Sequence, residues 1–443
     1  MADGTPKFPP IVEKVLASFV ISRERLVKIS EDIEEELKIG LKQGSQGTSS
    51  IAMLPSYVPA LPTGKETGKY VAIDLSGKNL RILLLSLEAG QEPKKNVNNY
   101  IVSNAIMKGT GEQLFNFIKR LISPLVSSFL IRASCFQFDR RALLWWTKGF
   151  DIADCLQQDV VQLLQEALEL NMSTKARINA VMNDTVGQLA AAAFKYGSEC
   201  TAAVVIGYGC NSSYLEDTEK ITKFNAKSAG YNHKKMVVVT EWEEFGKNGE
   251  LNDVLTPFDH EVDDASVHKG KQIIDKLTGA LYIGDLVRRV LAQFVVDRVL
   301  FNGTPVEKLD QADSFPTKYI SEILSEESDS FKTCRRICDE LEVPNHGSND
   351  YEIIRAVCHL VSQRSASVVA AAISALLRHM NQQKIKIGVG GALIQFHPTY
   401  HSLLEAQLND LAPLNIDWEL VSADEGSVKG AALIAAVAEN LKL

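Results

Sequence analysis

The sequence predicts an α/β protein of two lobes with a ligand cleft between them, and three observations carry that prediction. Apolar stretches of strand length bend around glycine-containing polar turns in both halves of the chain. Long helical stretches such as RSASVVAAAISALLRHM (364–380) alternate with those strands, which is the pattern of an α/β fold. At 443 residues, 45% hydrophobic and 23% charged, the chain is long enough for two or three domain-sized cores.

Taken in order, Lys14 to Leu41 place apolar residues at helical spacing among many charges and predict one amphipathic helix. QGSQGTSS ends it. MLPSYVPALPTGKETGK, rich in Pro and Gly, predicts an ordered loop. YVAIDLSGKNLRILLLSLE then reads as two strands around a tight turn at Ser76-Gly77-Lys78. The arrangement returns at Cys200 to Asp217, where CTAAVVIGYGCNSSYLED bends at Gly207-Tyr208-Gly209, so the two hairpins form a rough internal repeat. A third glycine-rich pair follows, IGVGGAL (387–393) and DEGSVKGAALIAAV (424–437). It puts Gly391 in a turn and Gly426 and Ser427 at the start of a helix. Such turns expose backbone N–H groups, and a helix N-terminus adds a favourable dipole, so both suit phosphate.

Between the hairpins, INAVMNDTVGQL (178–189) runs an apolar, strand-like segment into Asn183, Asp184 and Thr185. Asp184 either caps the helix that VGQLAAAAF begins, accepting free N–H groups, or does chemistry. That window alone leaves both readings open.

Composition excludes several function classes. With 47 basic and 55 acidic residues the formal charge is −8, so no global positive field invites nucleic acid or an anionic membrane. Lys94-Lys95 and Lys234-Lys235 read as solvated surface. Seven cysteines without a C-x-x-C pattern read as reduced thiols, and Cys334 and Cys338 lack a second ligand pair for zinc. No export signal and no apolar run of membrane-spanning length is read from the sequence. The expectation is a cytosolic protein, without membrane or nucleic-acid partners and most simply a monomer.

The ordered motifs MLPSYV, KGTGEQLFNFI, WWTKGF, VMNDTVGQL, GYGCNSSYLE, TEWEEFGKNGEL, YIGDLVRRVL and DEGSVKGAALIAAV resemble the eukaryotic hexokinase family of actin-like ATPase sugar kinases. The resemblance runs from about Ile11 to the C-terminus. It implies the two-lobed actin-like (ribonuclease H-like) fold, with residues 11–197 as the N-terminal, small-lobe region and 198–443 as the C-terminal, large-lobe region. It further implies a kinase that moves the γ-phosphate of ATP to the 6-hydroxyl of glucose or a related hexose, with Mg2+, at the first step of glycolysis. By the same resemblance Asp184 is the general base. Thr147, Lys148, Asn183, Asn211, Glu241 and Asp275 contact the sugar, Asp275 standing where the family has a longer Glu. Asp74, Ser76, Gly77, Lys78, Asn79, Arg81, Gly207, Gly209, Gly391, Gly426 and Ser427 fall on the nucleotide side, and Asp74 holds Mg2+ through water. Arg81 reads equally as a strand arginine on the surface.

Four departures from the family pattern point to an alternative, a catalytically impaired paralogue that binds sugar or regulates. The first loop has Ser76 for a Gly and gains the cation Lys78. Tyr208 replaces a small Thr between Gly207 and Gly209. SCFQFDRRALLWWTKGF carries Gln137 and Asp139 where Ser and Pro are expected, and much of a loop is missing. Gly390-Gly391-Ala392 replaces Asp-Gly-Ser, with Gln363 where a Thr is common near adenosine. A third reading, a superfamily member acting on another small molecule, fits the TKGF and NDT segments poorly.

Overall fold

The computed structural model describes residues 8–45, 47–76, 78–126, 143, 146, 150–169, 178, 182–327, 330–422 and 426–441. Thr147, Lys148, Gly77, Gln137 and Asp139 lie outside the described residues.

The chain opens with α1 (Pro10–Ser18) and α2 (Arg23–Gly40), which corrects the single helix expected over 14–41. Ser22 interrupts it. Its backbone is extended, and its hydroxyl accepts from the Arg25 N–H at 3.2 Å, so it starts a new helix as an N-cap. Among the described residues there are nine strands: β1 (Leu54–Pro55), β2 (Gly68–Ser76), β3 (Asn79–Leu87), β4 (Lys94–Ile101), β5 (Cys200–Ile206), β6 (Cys210–Asp217), β7 (Lys235–Val239), β8 (Lys384–Gly390) and β9 (Asp417–Ser422). Both expected hairpins are present. β1 lies within the stretch expected to be loop; it adds two residues to the edge of β7, a place that tolerates its proline.

Two sheets result. β2-β3-β4 is antiparallel throughout, and the other runs β1-β7-β6-β5-β8-β9. In the second sheet β5, β8 and β9 are parallel neighbours, so the carboxyl ends of β5 and β8 open on the same side.

Alternation decides which face each side chain takes. On β5, Ala202, Val204 and Ile206 enter the largest core while Ala203 enters a smaller one on the opposite face, and Met236/Val238 and Val237/Val239 on β7 divide in the same way. On β2 and β3, Val71, Leu80 and Ile82 face α3 (Asn104–Met107), α4 (Gly111–Val126) and α5 (Val160–Glu169). Their other face, through Tyr70, Ala72, Leu83 and Leu85, meets Val428, Ala432 and Leu433 of the C-terminal helix.

α6 (Asp184–Tyr196) covers one face of the larger sheet. The opposite face is covered by helices that follow β7: α7 (Pro257–Ala265), α8 (Ile273–Thr278), α9 (Ile283–Val296), α10 (Thr317–Ser325), α11 (Lys332–Glu340), α12 (Ser348–Met380), α13 (Ala392–Phe396) and α14 (Tyr400–Leu411). α1 and α2 join that core, and α15 (Gly426–Leu441) returns to β2 and β3. The division at 197/198 in the sequence is therefore not a division in packing, because each end of the chain is buried against residues from beyond it. α12 is long and apolar enough to cross a membrane, which corrects the expectation of no such run; 89% of its most apolar window is buried in the protein. Within it Arg364 pairs with Asp259 at 2.6 and 2.8 Å, lies over the Phe19 ring and ties the α1–α2 junction to α7.

α6 and α15 meet backbone to backbone. A Cβ at Gly430 would stand 1.6 Å from the Gly187 carbonyl oxygen, and one at Gly187 would stand 2.4 Å from the Ser427 oxygen. Gly430→Ala must therefore push the helices apart. The expected cost is about 1–3 kcal/mol, read as a lowered denaturation midpoint in urea.

His397, buried between α13 and α14, yields a second expectation. Its Nε2 lies 2.9 Å from the Ser362 hydroxyl, and its Nδ1 accepts from the Thr399 N–H at 3.3 Å, which is the pattern of a neutral ring. Burial, and then His359, pull its pKa from 6.5 to about 4. Between those values the unfolded chain binds the extra proton and the folded chain does not, so stability falls as pH drops through that window. The urea midpoint of wild type should fall on acidification from about pH 7 to about pH 5, and His397→Gln should flatten that dependence.

Candidate active site

The α6 N-terminus is where several of the residues expected to contact sugar gather. Asn183, not Asp184, is the N-cap: its Oδ1 accepts from the Thr185 N–H at 2.9 Å and the Thr185 hydroxyl at 2.8 Å. This corrects the capping reading of Asp184. The reason is one of register, since Asp184 is already the first helical residue. Capping thus falls to the amide, while the carboxylate stands half-exposed in the first turn, where the helix dipole favours negative charge.

Asn183 also reaches across to the larger sheet. Its Nδ2 donates to Glu241 Oε1 at 3.1 Å, and Asn211 Nδ2 donates to the same oxygen at 2.7 Å. The orientation of Asn211 is fixed by what its Oδ1 must accept: the N–H groups of Ser212 and Glu241, at 2.7 and 3.0 Å, and the Thr240 hydroxyl at 3.2 Å. Glu241 takes left-handed backbone (φ 54°, ψ 44°), uncommon outside glycine and a frequent mark of functional sites. Trp242 then buries fully and donates its indole N–H to the Cys210 carbonyl at 3.0 Å, fixing the turn against the start of β6. Asn183, Asn211 and Glu241, drawn from three segments, thus form one hydrogen-bonded set beside Asp184. An array of amides and carboxylates suits a polyhydroxylated ligand, whose hydroxyls both donate and accept.

Asp275 approaches from α8, which follows another left-handed residue, Gln272. Its Oδ1 accepts the Cys210 N–H at 2.6 Å, and a Cβ at Gly209 would stand 2.2 Å from its Oδ2. Asp275 therefore holds the second hairpin turn directly. The turn is fixed from the other side by Ala280 N–H to the Gly207 carbonyl (2.8 Å) and Leu281 N–H to the Tyr208 carbonyl (3.2 Å). Tyr208 is half-buried between the two glycines.

Of the residues expected on the nucleotide side, Gly207, Gly209 and Gly391 lie at the carboxyl ends of β5 and β8, the edge where open α/β sheets bind ligands. Gly391 has φ 102°, and a Cβ there would stand 2.5 Å from the Ile206 carbonyl carbon, so the 391 turn is pressed against the 207–209 turn. Gln188, a buried amide on α6 that sequence reasoning did not single out, donates to the Val389 carbonyl at 3.1 Å and fills the space beside Gly390 and Gly426. Packing is so close that a Cβ at Gly426 would stand 1.6 Å from Gln188 Oε1. The Ser427 hydroxyl donates to Asp74 Oδ2 at 2.7 Å, which joins the α15 start to β2. The Ser427 hydroxyl is thus engaged with Asp74, while the expectation of phosphate at this helix start rests on its backbone N–H groups. Arg81 is the direct cross-strand partner of Asp74, half-buried rather than a fully exposed strand arginine. Lys78 and Asn79 are exposed beside the turn that follows Ser76, the last residue of β2.

A cavity of about 740 Å³ lies at the other end of β6, lined among others by Asp217, Lys223, Phe224 and Lys234. It contains none of the convergent amides and carboxylates described above, so chemistry rather than volume identifies the site. Another residue absent from the expectations is Glu243, deeply buried beside Glu241 and Asp275. Burial and then those two carboxylates raise its pKa well above the usual range.

Comparison with known proteins agrees with this geometry. Two family models, both described as hexokinase, match residues 11–194 and 201–437. The chain is 39% identical to the hexokinase of Brugia malayi, over 98% of this chain and 78% of that protein. It is 34% identical to hexokinase HKDC1 of Homo sapiens, of whose length it spans 48%. The solved hexokinase from Schistosoma mansoni complexed with glucose superposes with a TM-score of 0.88 at 32% identity, covering 96% of this chain and 98% of that one. The α/β fold is that of the actin-like sugar kinases, and the chain belongs to the hexokinase family.

Proposed function

We propose that the protein is an ATP-dependent hexose 6-phosphotransferase acting on glucose or a related hexose. The observation that carries this reading is the Asn183–Glu241–Asn211 hydrogen-bonded set standing beside a carboxylate, Asp184, that its own helix does not use as a cap. In this reading the amides and Glu241 hold the sugar ring so that its primary alcohol meets Asp184. Asp184 accepts the hydroxyl proton as that oxygen bonds to the γ-phosphorus and the bond to the leaving ADP oxygen breaks. Phosphoryl transfer asks chiefly for alignment and charge neutralisation, so one placed carboxylate suffices as base.

On the phosphate side, the paired turns at 207–209 and 391 offer backbone to the nucleotide. Asp74 is a nearly buried carboxylate oriented by Ser427, which fits a hydrated Mg2+ that needs only one or two such ligands. When bound, that cation would neutralise phosphate charge. The free, buried cysteines suit a reducing compartment, and the proposal puts the reaction in the cytosol as part of glycolysis.

A second reading is favoured by one observation. Tyr208, half-buried between Gly207 and Gly209 in a turn pinned by Asp275 and Leu281, puts a phenol where the family has a small hydroxyl. In this alternative the chain binds hexose but transfers phosphate poorly.

A coupled assay with glucose and MgATP tests the base. Asp184→Ala should lower turnover by roughly 10²–10⁴-fold with hexose affinity largely kept, and equal turnover by both proteins would remove Asp184 from the role. Tyr208→Thr separates the two readings. Under the second reading calorimetry finds glucose binding by wild type, while turnover is negligible until the Thr variant raises it at least tenfold. Under the first, wild type already turns over, and the substitution changes the rate much less.

A further inference from the structure

Three carboxyl groups crowd behind the sugar-side residues: Glu241, Glu243 in the turn Trp242–Glu244, and Asp275 from α8. A buried carboxylate is tolerated when donors or a cation compensate its charge. Glu241 has two such donors on Oε1, from Asn183 and Asn211, and Asp275 has the Cys210 N–H. Glu243 is the most deprived of the three. It is 4% exposed, and its buried Oε2 has no hydrogen-bond partner among the described residues. Among the described residues, the cations on the adjoining segments, Lys247 and Lys276 of α8, pair with Glu244 at 3.5 Å and with Asp263. A proton kept in the cluster relieves this crowding, and Glu243, whose Oε2 has no partner among the described residues, is the group with least to lose by holding it.

We propose that Glu243 is a positioning residue, a neutral carboxylic acid that donates a hydrogen bond to the Glu241 carboxylate and so fixes the acceptor offered to the sugar. The groups that face it are Glu241 at the end of β7, Asp275 on α8 and the Cys210 thiol on β6. Burial holds the thiol protonated. Burial, and then Glu241 and Asp275, also raise the Glu243 pKa well above 4.5, in keeping with a retained proton. With Glu243 neutral, Glu241 keeps a fixed geometry. When Glu243 ionises at alkaline pH, two negative side chains repel and the hexose contact loosens. The effect on the sugar rests on the hexokinase reading above; the protonation state does not.

Difference infrared spectroscopy of wild type against Glu243→Gln tests the protonation directly. At about pH 7 wild type should show a protonated-carboxyl C=O stretch that the variant lacks. Kinetics test the consequence. Glu243→Ala should raise the hexose KM about tenfold with a smaller change in kcat, as expected for loss of one charge-assisted hydrogen bond. Glu243→Gln, which keeps a neutral donor, should hold KM near wild type and remove the alkaline rise in KM. Absence of the infrared band, or an unchanged KM in Glu243→Ala, overturns the proposal. If wild type neither binds nor phosphorylates hexose, the hexokinase reading fails instead, and the infrared band still decides the state of Glu243.

Discussion

Where α6 crosses α15 the two helices touch through backbone, and the placement of Asn183, Asp184, Ser427 and Asp74 follows from how close that contact is. Gly187 and Gly430 let the main chains meet, and Gly390 and Gly426 leave room for the Gln188 amide between them. α6 carries Asn183 and Asp184 at its first turn, while α15 carries Ser427, which holds Asp74. One close-packed crossing therefore fixes the spacing between the carboxylate read as base and the carboxylate read as cation ligand. Protein interiors do not yield gradually to added atoms, so a single methyl at this crossing acts on both halves of the site.

The two halves of the site are built differently. The part read as the sugar side is a set of side chains satisfying one another, in which Glu241 and Asn211 each answer to more than one partner. The part read as the nucleotide side is chiefly backbone held in turns by contacts from behind: Asp275 under residues 209–210, Ala280 and Leu281 against 207–208, and Gly391 against Ile206. A side-chain network changes in steps, one bond at a time. A backbone cradle is held by its main chain, as the 207–208 turn is held through its carbonyls with Tyr208 in it.

Much of this was legible in the sequence, for identifiable reasons. The hairpins were legible because strand alternation and glycine turns are local signals. Asn183, Asn211 and Glu241 were legible as candidates through the resemblance of VMNDTVGQL, GYGCNSSYLE and TEWEEFGKNGEL to the hexokinase family. What stayed hidden depends on distant partners. β4 reads as polar surface, KKNVNNYI, because it is an edge strand with one neighbour. The break at Ser22 was masked by apolar residues that continue the helical spacing across it. Gln188 lies in a helix like any other glutamine until β8 and α15 close over it. Glu243 sits in the charged run EWEEF, which reads as solvated, and only the packing of α8 against the 242–244 turn buries it. The cap reading of Asp184, one of two left open, falls one position off because an Asn and an Asp in succession both satisfy the capping preference.

The N-terminal helices carry a consequence for how the chain acquires its shape. Ser30 on α2 bonds the Ala371 carbonyl on α12, 341 residues downstream, and Arg378 returns to Glu34 and Ser30. During synthesis α2 must therefore wait, the face it turns to α12 uncovered, until α12 has been made. Topology of this kind makes folding slow and leaves early intermediates open to chaperones.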